Sequence, residues 1–328
     1  MTDTGRTPDL RTGEVIFILS DVRSGSTLLA QLLAAHPRVV SIGEVQWLRA
    51  YVDNDRRLYD PPQGLACACG RSFSACDFWQ SVQSASALPL RSLQVMPRHL
   101  GWQPPGAARA LRDRVSRRLA SRLATSSMPS LLRAFFDGSR VARDSHALYE
   151  AVLRASGAKY VVDTSKNMLR TRFIYDMKPD RVRLIVLRRD HRAIIYAKMK
   201  RGRSLRAATV SWATKARQIS ALAAKATPSG VLTLDYESLC IDTEREIARV
   251  TAFLNVESHG SLTSRPSAGV HDIGGSSSKF EAQRRAIRID EDYLRHLTAS
   301  ELSQIESSVG ALAVALGYRR HESSHLAK

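Results

Sequence analysis

The sequence predicts an α/β fold: a central parallel sheet, helices on its faces, and a mostly helical and loop-built cap. Short apolar runs that read as buried strands alternate with segments of helical periodicity, the pattern of a parallel sheet. The chain has 328 residues, 44% of them hydrophobic, enough for a sizeable core. Wholesale disorder and a small disulfide scaffold are thereby excluded. Charge adds a functional bound. Lys+Arg number 49 against 31 Asp+Glu, a net +18, which favours anionic partners: nucleotides, nucleic acid, acidic glycans or acidic headgroups.

The elements follow in order. Residues 1–13 are polar and read as a flexible arm. Val15-Ile-Phe-Ile-Leu19 is a continuous apolar run, the mark of a strand buried on both faces. It feeds Ser20-Asp-Val-Arg-Ser-Gly-Ser-Thr27, then a helical pattern on Leu28, Leu29, Leu32 and Leu33 that stops at His36-Pro37. Tyr160–Val162, Val182–Leu187 and Val231–Leu234 read as further strands. Helices follow at Asp190–Lys200 and after Asp242, a good N-cap. Thr298-Ala-Ser-Glu301 is a capping box that opens a last helix ending at Gly317. The stretch 61–105 is rich in Pro, Ser and Gln and reads as a long loop. Gly106–Thr125 reads as a basic amphipathic helix. These features divide the chain into the arm, one α/β domain over 14–320 with a cap insertion at about 50–158, and a tail over 321–328. Four cysteines make no disulfide framework. With no secretory h-region or membrane span near the start, the expectation is a reduced, cytoplasmic protein.

Strand, Gly-containing loop and helix form a phosphate-binding arrangement, because loop N–H groups and the helix N-terminus face the anion. Aligned to the Walker A pattern on Gly25, the lysine position falls on Ser26 and the preceding glycine on Ser20. Thr27 stands in its usual place, and Arg23 supplies a cation before the glycine. An ordinary Ser/Gly turn is the bland alternative.

Val22-Arg-Ser-Gly-Ser-Thr-Leu-Leu29 resembles the 5′-phosphosulfate loop of sulfotransferases that use 3′-phosphoadenosine 5′-phosphosulfate (PAPS). Leu184-Ile-Val-Leu-Arg-Arg-Asp-His-Arg-Ala-Ile195 is similar to that superfamily's 3′-phosphate motif. The likeness extends to His36-Pro37 with Gly43-Glu44, to Tyr236-Glu237-Ser-Leu239 and to Gly274-Gly-Ser-Ser-Ser-Lys279. Cys67-Ala-Cys-Gly70 with Cys76 and Trp79 resembles a run in many bacterial members. The pattern is similar to the branch holding tyrosylprotein and bacterial carbohydrate or small-molecule sulfotransferases. It implies a three-layer P-loop-type fold.

The resemblance also implies roles. Glu44 would be the catalytic base, Arg23 would meet the sulfuryl and 5′-phosphate oxygens, and Lys166 would contact the bridging oxygen. Ser24, Gly25, Ser26 and Thr27 would cradle the 5′-phosphosulfate, Arg189 the 3′-phosphate, and Tyr236, Ser276 and Lys279 the nucleoside and phosphates. The family's serine eight residues beyond Arg189 is Ala197 here, with Lys198 a candidate substitute, and its proline after Arg-Asp is His191. The donor's own phosphate leaves, as adenosine 3′,5′-bisphosphate, so no metal is required. The acceptor would carry a hydroxyl, on a glycan, glycolipid, small metabolite or tyrosine.

Each residue also has a plainer reading: Glu44 solvated at a strand end, Lys166 in a solvated turn, Tyr236 in the core. His36 and His271 are alternative bases. Cys67, Cys69 and Cys76 invite a zinc reading, but His99 is distant and no fourth ligand is evident, so buried packing thiols are expected and no metal site. The Arg109–Arg122 helix is a candidate face for an acidic glycan or membrane surface, with a solvated face as the default. Two other functions compete. A P-loop kinase or nucleotide hydrolase would need the missing lysine and a Mg²⁺ aspartate. A nucleic-acid binder fits the net charge, but basic runs interleaved with aromatics are absent, and nucleic acid is not an expected partner.

Overall fold

The structure, a computed structural model, describes residues 13–62, 64–97, 100, 130–257, 270–280 and 286–320. The arm up to residue 12, His99, the Arg109–Arg122 helix and the tail 321–328 lie outside the described residues.

Among the described residues five strands form one sheet: β1 (Glu14–Leu19), β2 (Val39–Gly43), β3 (Tyr160–Asp163), β4 (Val182–Arg188) and β5 (Val231–Asp235). Their order is β2-β3-β1-β4-β5, and every pair is parallel. β1 takes the centre because Val15 to Leu19 tolerate no solvent on either side; all five are buried. Removing such side chains from water is worth about 1.5–3 kcal/mol each.

The two faces of β1 seed two cores. Ile16 and Ile18 meet Leu29, Leu32 and Leu33 of the helix Ser26–Ala34, with Ile247 and Val250 of the helix Thr243–Leu254. Val15, Phe17 and Leu19 meet Leu148, Tyr149 and Val152 of the helix Gly138–Ser156. The result is three layers. The helix Gly138–Ser156 falls inside the interval expected to be cap, yet it packs on the sheet as the crossover between β2 and β3.

Other differences from the sequence reading have local causes. β2 lies outside the four runs named as strands, although the apolar run Val39–Ile42 before Glu44 marks its place. It ends at Gly43, where φ is +70° and an added Cβ would stand 2.3 Å from the Ile273 carbonyl oxygen. The capping box at Thr298 forms as expected. The helix it opens is interrupted by a π-helical turn, Glu306–Gly310, between Ala299–Ile305 and Ala311–Ala315. Asp242 caps its helix by accepting from the Arg245 N–H at 3.1 Å. No helix among the described residues is long and apolar enough to cross a membrane.

After β1 the chain first builds β2 and β3 on one side, then β4 and β5 on the other. The carboxyl end of β1 is therefore the switch point, where open α/β sheets form their ligand crevice.

Candidate active site

A cavity of about 1110 Å³ opens at that edge of the sheet. Each strand delivers one side chain to it: Arg23 after β1, Glu44 after β2, Lys166 after β3, Arg189 after β4 and Tyr236 after β5. Gly25, Ser26, Thr27 and Ser276 also line it.

The loop after β1 is held in a demanding shape. Gly25 has φ +83°, and a Cβ there would collide with the Tyr236 ring at 2.4 Å. Arg23 is left-handed at φ +62°, a conformation that costs about 1–2 kcal/mol in a non-glycine residue. Arg189 holds it there: its Nη1 donates to the Arg23 carbonyl at 2.6 Å, while its guanidinium covers the Tyr236 ring at 4.6 Å. Arg189 Nη2 donates to the Asp290 carbonyl at 2.7 Å and pairs with its carboxylate at 3.1 Å. Arg188 turns elsewhere, to Asp235 at 3.0 Å. Arg23 itself is exposed and donates to the Ser276 hydroxyl at 2.8 Å.

A lysine from another strand reaches the loop where the Walker pattern has its own. Lys166 Nζ, arriving from β3, donates to the Ser26 hydroxyl at 2.7 Å and the Ser20 hydroxyl at 3.0 Å. Its turn rests on a buried ion pair. Arg170 Nη1 meets Asp163 Oδ2 at 2.8 Å, and the Tyr149 hydroxyl donates to the same oxygen at 2.7 Å. Asp163 Oδ1 accepts from the Ser165 N–H at 2.7 Å.

Gln46 joins that turn to Glu44. Its Oε1 accepts from the Lys166 N–H at 3.1 Å and its Nε2 donates to Glu44 Oε2 at 3.1 Å. Trp47 Nε1 donates to the same carboxylate oxygen at 3.3 Å. Burial pushes the Glu44 carboxyl above the ordinary glutamate value, while the Lys166 charge and the two donors pull it back. Burial likewise lowers the Lys166 ammonium below an ordinary lysine, and Glu44 opposes that. Behind them Lys215 donates to the Lys166 carbonyl at 2.8 Å, and burial takes its ammonium down to about 8. A carboxylate raised by its surroundings beside a fixed cation can accept a proton while the cation holds a developing oxyanion.

Two buried polar atoms at the loop, Ser24 Oγ and Arg189 Nε, have no hydrogen-bond partner among the described residues. Lys200, Arg201 and Arg288 add cations to the wall, against Glu44, Asp290 and Asp292. The six cations, counting Arg23, Lys166 and Arg189, suit an anion-rich nucleotide, whereas Ser24 is buried and is not in the cavity wall.

Several expectations need correction. Lys279 does not line the cavity. It is buried, and its ammonium donates to the Ala66 and Asp272 carbonyls at 3.2 and 3.3 Å, with the Tyr51 hydroxyl at 3.4 Å. Lys198 does not replace the missing serine, because it is paired with Asp21 at 2.6 Å; Ala197 is not in the cavity wall. His36 is committed to its own turn. Its Nδ1 accepts from the Arg38 N–H at 3.0 Å and its Nε2 reaches the Glu257 carbonyl at 3.1 Å. His271 stands with Cys67, Cys69 and Cys76, away from the cavity wall, and is the fourth partner that the sequence did not reveal. His191 is buried against Trp212 and Glu306. Lys200, Arg201, Arg288 and Gln46 went unrecognised in the sequence; Lys200 ends the Asp190–Lys200 helical pattern and Arg201 follows it, which was the one available signal.

A family model for the sulfotransferase family matches residues 80–260, more than half of the chain. No curated protein matches by sequence. Among solved structures, the sulfotransferase domain of the Synechococcus PCC 7002 olefin synthase aligns with TM-score 0.53 at 18% identity, over 94% of this chain and 98% of that one. The sulfotransferase domain from the curacin biosynthetic pathway aligns with TM-score 0.48 at 16% identity, over 91% and 97%. Sulfotransferase STF1 from Mycobacterium tuberculosis H37Rv aligns with TM-score 0.49 at 12% identity, over 92% and 78%. The first of these supports the fold.

Proposed function

Because this chain belongs to the sulfotransferase family, we propose that it moves a sulfuryl group from PAPS to a hydroxyl acceptor, with Glu44 as the base. The observation that carries the reading is the convergence of Lys166 on the Ser20 and Ser26 hydroxyls at the mouth of the loop, with Glu44 tied to the same turn through Gln46.

Glu44 takes the acceptor's hydroxyl proton as the oxygen attacks sulfur. The bond between sulfur and the bridging phosphate oxygen breaks, and adenosine 3′,5′-bisphosphate leaves. Lys166 and Arg23 carry the charge that develops on the leaving phosphate and the moving sulfuryl. The N-terminus of the helix Ser26–Ala34 adds partial positive charge. Arg189 fixes the loop. With its fork already engaged by Arg23 and Asp290, Lys200 and Arg201 supply the remaining charge for the 3′-phosphate. On the acceptor side the stacked rings of Trp47 and Tyr59, 4.4 Å apart at 10°, form an apolar wall. The acceptor is a glycan, glycolipid, small metabolite or tyrosine hydroxyl.

A phosphotransfer reading is disfavoured by two residues: Ser26 stands at the Walker lysine position, and the nearby carboxylate, Asp21, is engaged by Lys198. Calorimetry tests the donor assignment. The 3′-phosphate is expected to strengthen adenosine 3′,5′-bisphosphate binding over AMP by about 1.5–3 kcal/mol. Equal affinities refute it.

A further inference from the structure

Four soft ligands converge where the cap meets the segment 270–275. Cys76 Sγ lies 3.6 Å from Cys69 Sγ, 3.7 Å from Cys67 Sγ and 3.3 Å from His271 Nδ1. Cys67 Sγ lies 3.8 Å from the same nitrogen. All four ligand atoms fall within 4.8 Å of one another. A tetrahedron with Zn–S of about 2.3 Å and Zn–N of about 2.0–2.1 Å has edges near 3.8 Å between sulfurs and about 3.5 Å between sulfur and nitrogen. The four separations of 3.3–3.8 Å match those edges, and the two remaining pairs lie within 4.8 Å. Disulfide bonds require about 2.05 Å, and all three thiols are free.

We propose that Cys67, Cys69, Cys76 and His271 bind one zinc ion as a closed, structural Cys₃His site.

The surrounding backbone is built for it. Ala66 and Ser72 bridge, the Cys67 N–H donates to the Arg71 carbonyl at 2.9 Å, and the Gly70 N–H returns to the Cys67 carbonyl at 2.9 Å. That knuckle aims Cys67 and Cys69 at one point. The Cys69 N–H faces the Cys67 sulfur, as the Trp79 N–H faces that of Cys76. Cys76 stands at the N-cap position of the helix Asp77–Ala85, which fixes its backbone at the cluster. His271 is oriented independently: Phe78 stacks on its ring at 4.7 Å and 11°, and Trp79 Nε1 donates to its carbonyl at 3.0 Å. Four protein ligands leave no open position, so the metal is structural and takes no part in the transfer chemistry. Binding releases the thiol protons as the sulfurs coordinate.

The ion would fasten the cap to the strip that frames the base. Two residues beyond His271, Ile273 bridges Gly43, and its carbonyl accepts from the Glu44 N–H at 2.7 Å. Metal content tests the site independently of any sulfuryl transfer. The full chain, purified from zinc-supplemented culture, is expected to hold about one zinc per chain by mass spectrometry. Replacing zinc by cobalt(II) in the native chain should give strong tetrahedral d–d bands and thiolate charge transfer. His271→Ala and Cys76→Ser should lose most of the metal, while Cys240→Ser, outside the cluster, keeps it. Native protein with less than about a tenth of a zinc per chain and no tetrahedral cobalt spectrum overturns the site. So does full zinc retention in folded His271→Ala.

Discussion

Replacing Lys166 by methionine separates charge from architecture. The side chain keeps its reach, and the turn keeps its anchors, because the Lys166 N–H is bound by Gln46 and Ser165 by Asp163. What disappears is the ammonium that sits 2.7 and 3.0 Å from the Ser26 and Ser20 hydroxyls. A single charged donor to a developing oxyanion in a water-poor site is worth about 10²–10³ in kcat, or ~2.7–4 kcal/mol. Charge on the bridging oxygen grows only as the bond breaks, so the loss should fall on kcat more than on KM. A second consequence has a definite sign. Lys166 holds the Glu44 pKa down against burial. Without it that pKa rises, the base is protonated over a wider acid range, and the acid limb of kcat/KM moves to higher pH. Steady-state kinetics across pH on a hydroxyl acceptor, with calorimetry of adenosine 3′,5′-bisphosphate, reads both effects. Wild-type turnover in Lys166→Met, or an acid limb that moves to lower pH, would refute the reasoning.

Other outcomes follow from the same geometry. Glu44→Gln keeps the hydrogen bonds but cannot take a proton; kcat should fall about 10²–10⁴-fold with bisphosphate affinity nearly unchanged, as rates and calorimetry will report. In the native enzyme kcat/KM should be bell-shaped, rising through a pKa above that of an ordinary glutamate as Glu44 ionises and falling as Lys166, lowered by burial, loses its proton. Arg201→Ala should weaken adenosine 3′,5′-bisphosphate by at least about tenfold while leaving AMP nearly unchanged, a loss measurable by calorimetry. Asp163→Asn strands Arg170 in the core and should cost about 3–5 kcal/mol in urea unfolding. Initial rates with and without Mg²⁺ should be equal, since in the proposed reaction Lys166 and Arg23 meet the leaving phosphate.

The candidate site residues were named through the family resemblance, and local chain direction accounts for their meeting at one cavity. Arg23, Glu44, Lys166, Arg189 and Tyr236 each follow a strand end, and parallel strands bring such ends to one edge. Buried strands announce themselves as apolar runs, so β1 and β4 were readable almost to the residue. β2 was less plain, because Ser41 and Gly43 dilute the apolar run Val39–Ile42; buried Ser41 donates to Asp272 at 2.5 Å. The misplacements share a cause. Lys279 turns inward to the carbonyl of Ala66, 213 residues away, and Lys198 to Asp21, 177 away. His271 meets Cys76 across 195 residues. Such partnerships are set by how elements distant in sequence pack together, which local spacing does not encode. The interruption after Ile305 is similar: the apolar period continues through Val309 and Leu312, and the π turn leaves no gap in it.

The central claim is that this cavity transfers a sulfuryl group with Glu44 as base, and labelled-donor transfer tests it most directly. PAPS labelled in its sulfuryl sulfur is incubated with the native chain and with Glu44→Gln, against tyrosine peptides, glycans, glycolipids and small hydroxylated metabolites. The expected result is label on at least one acceptor hydroxyl with stoichiometric adenosine 3′,5′-bisphosphate, and transfer by Glu44→Gln lower by about 10²–10⁴-fold. Equal transfer by both proteins, or native protein that neither transfers label to any acceptor nor binds the bisphosphate, would contradict it.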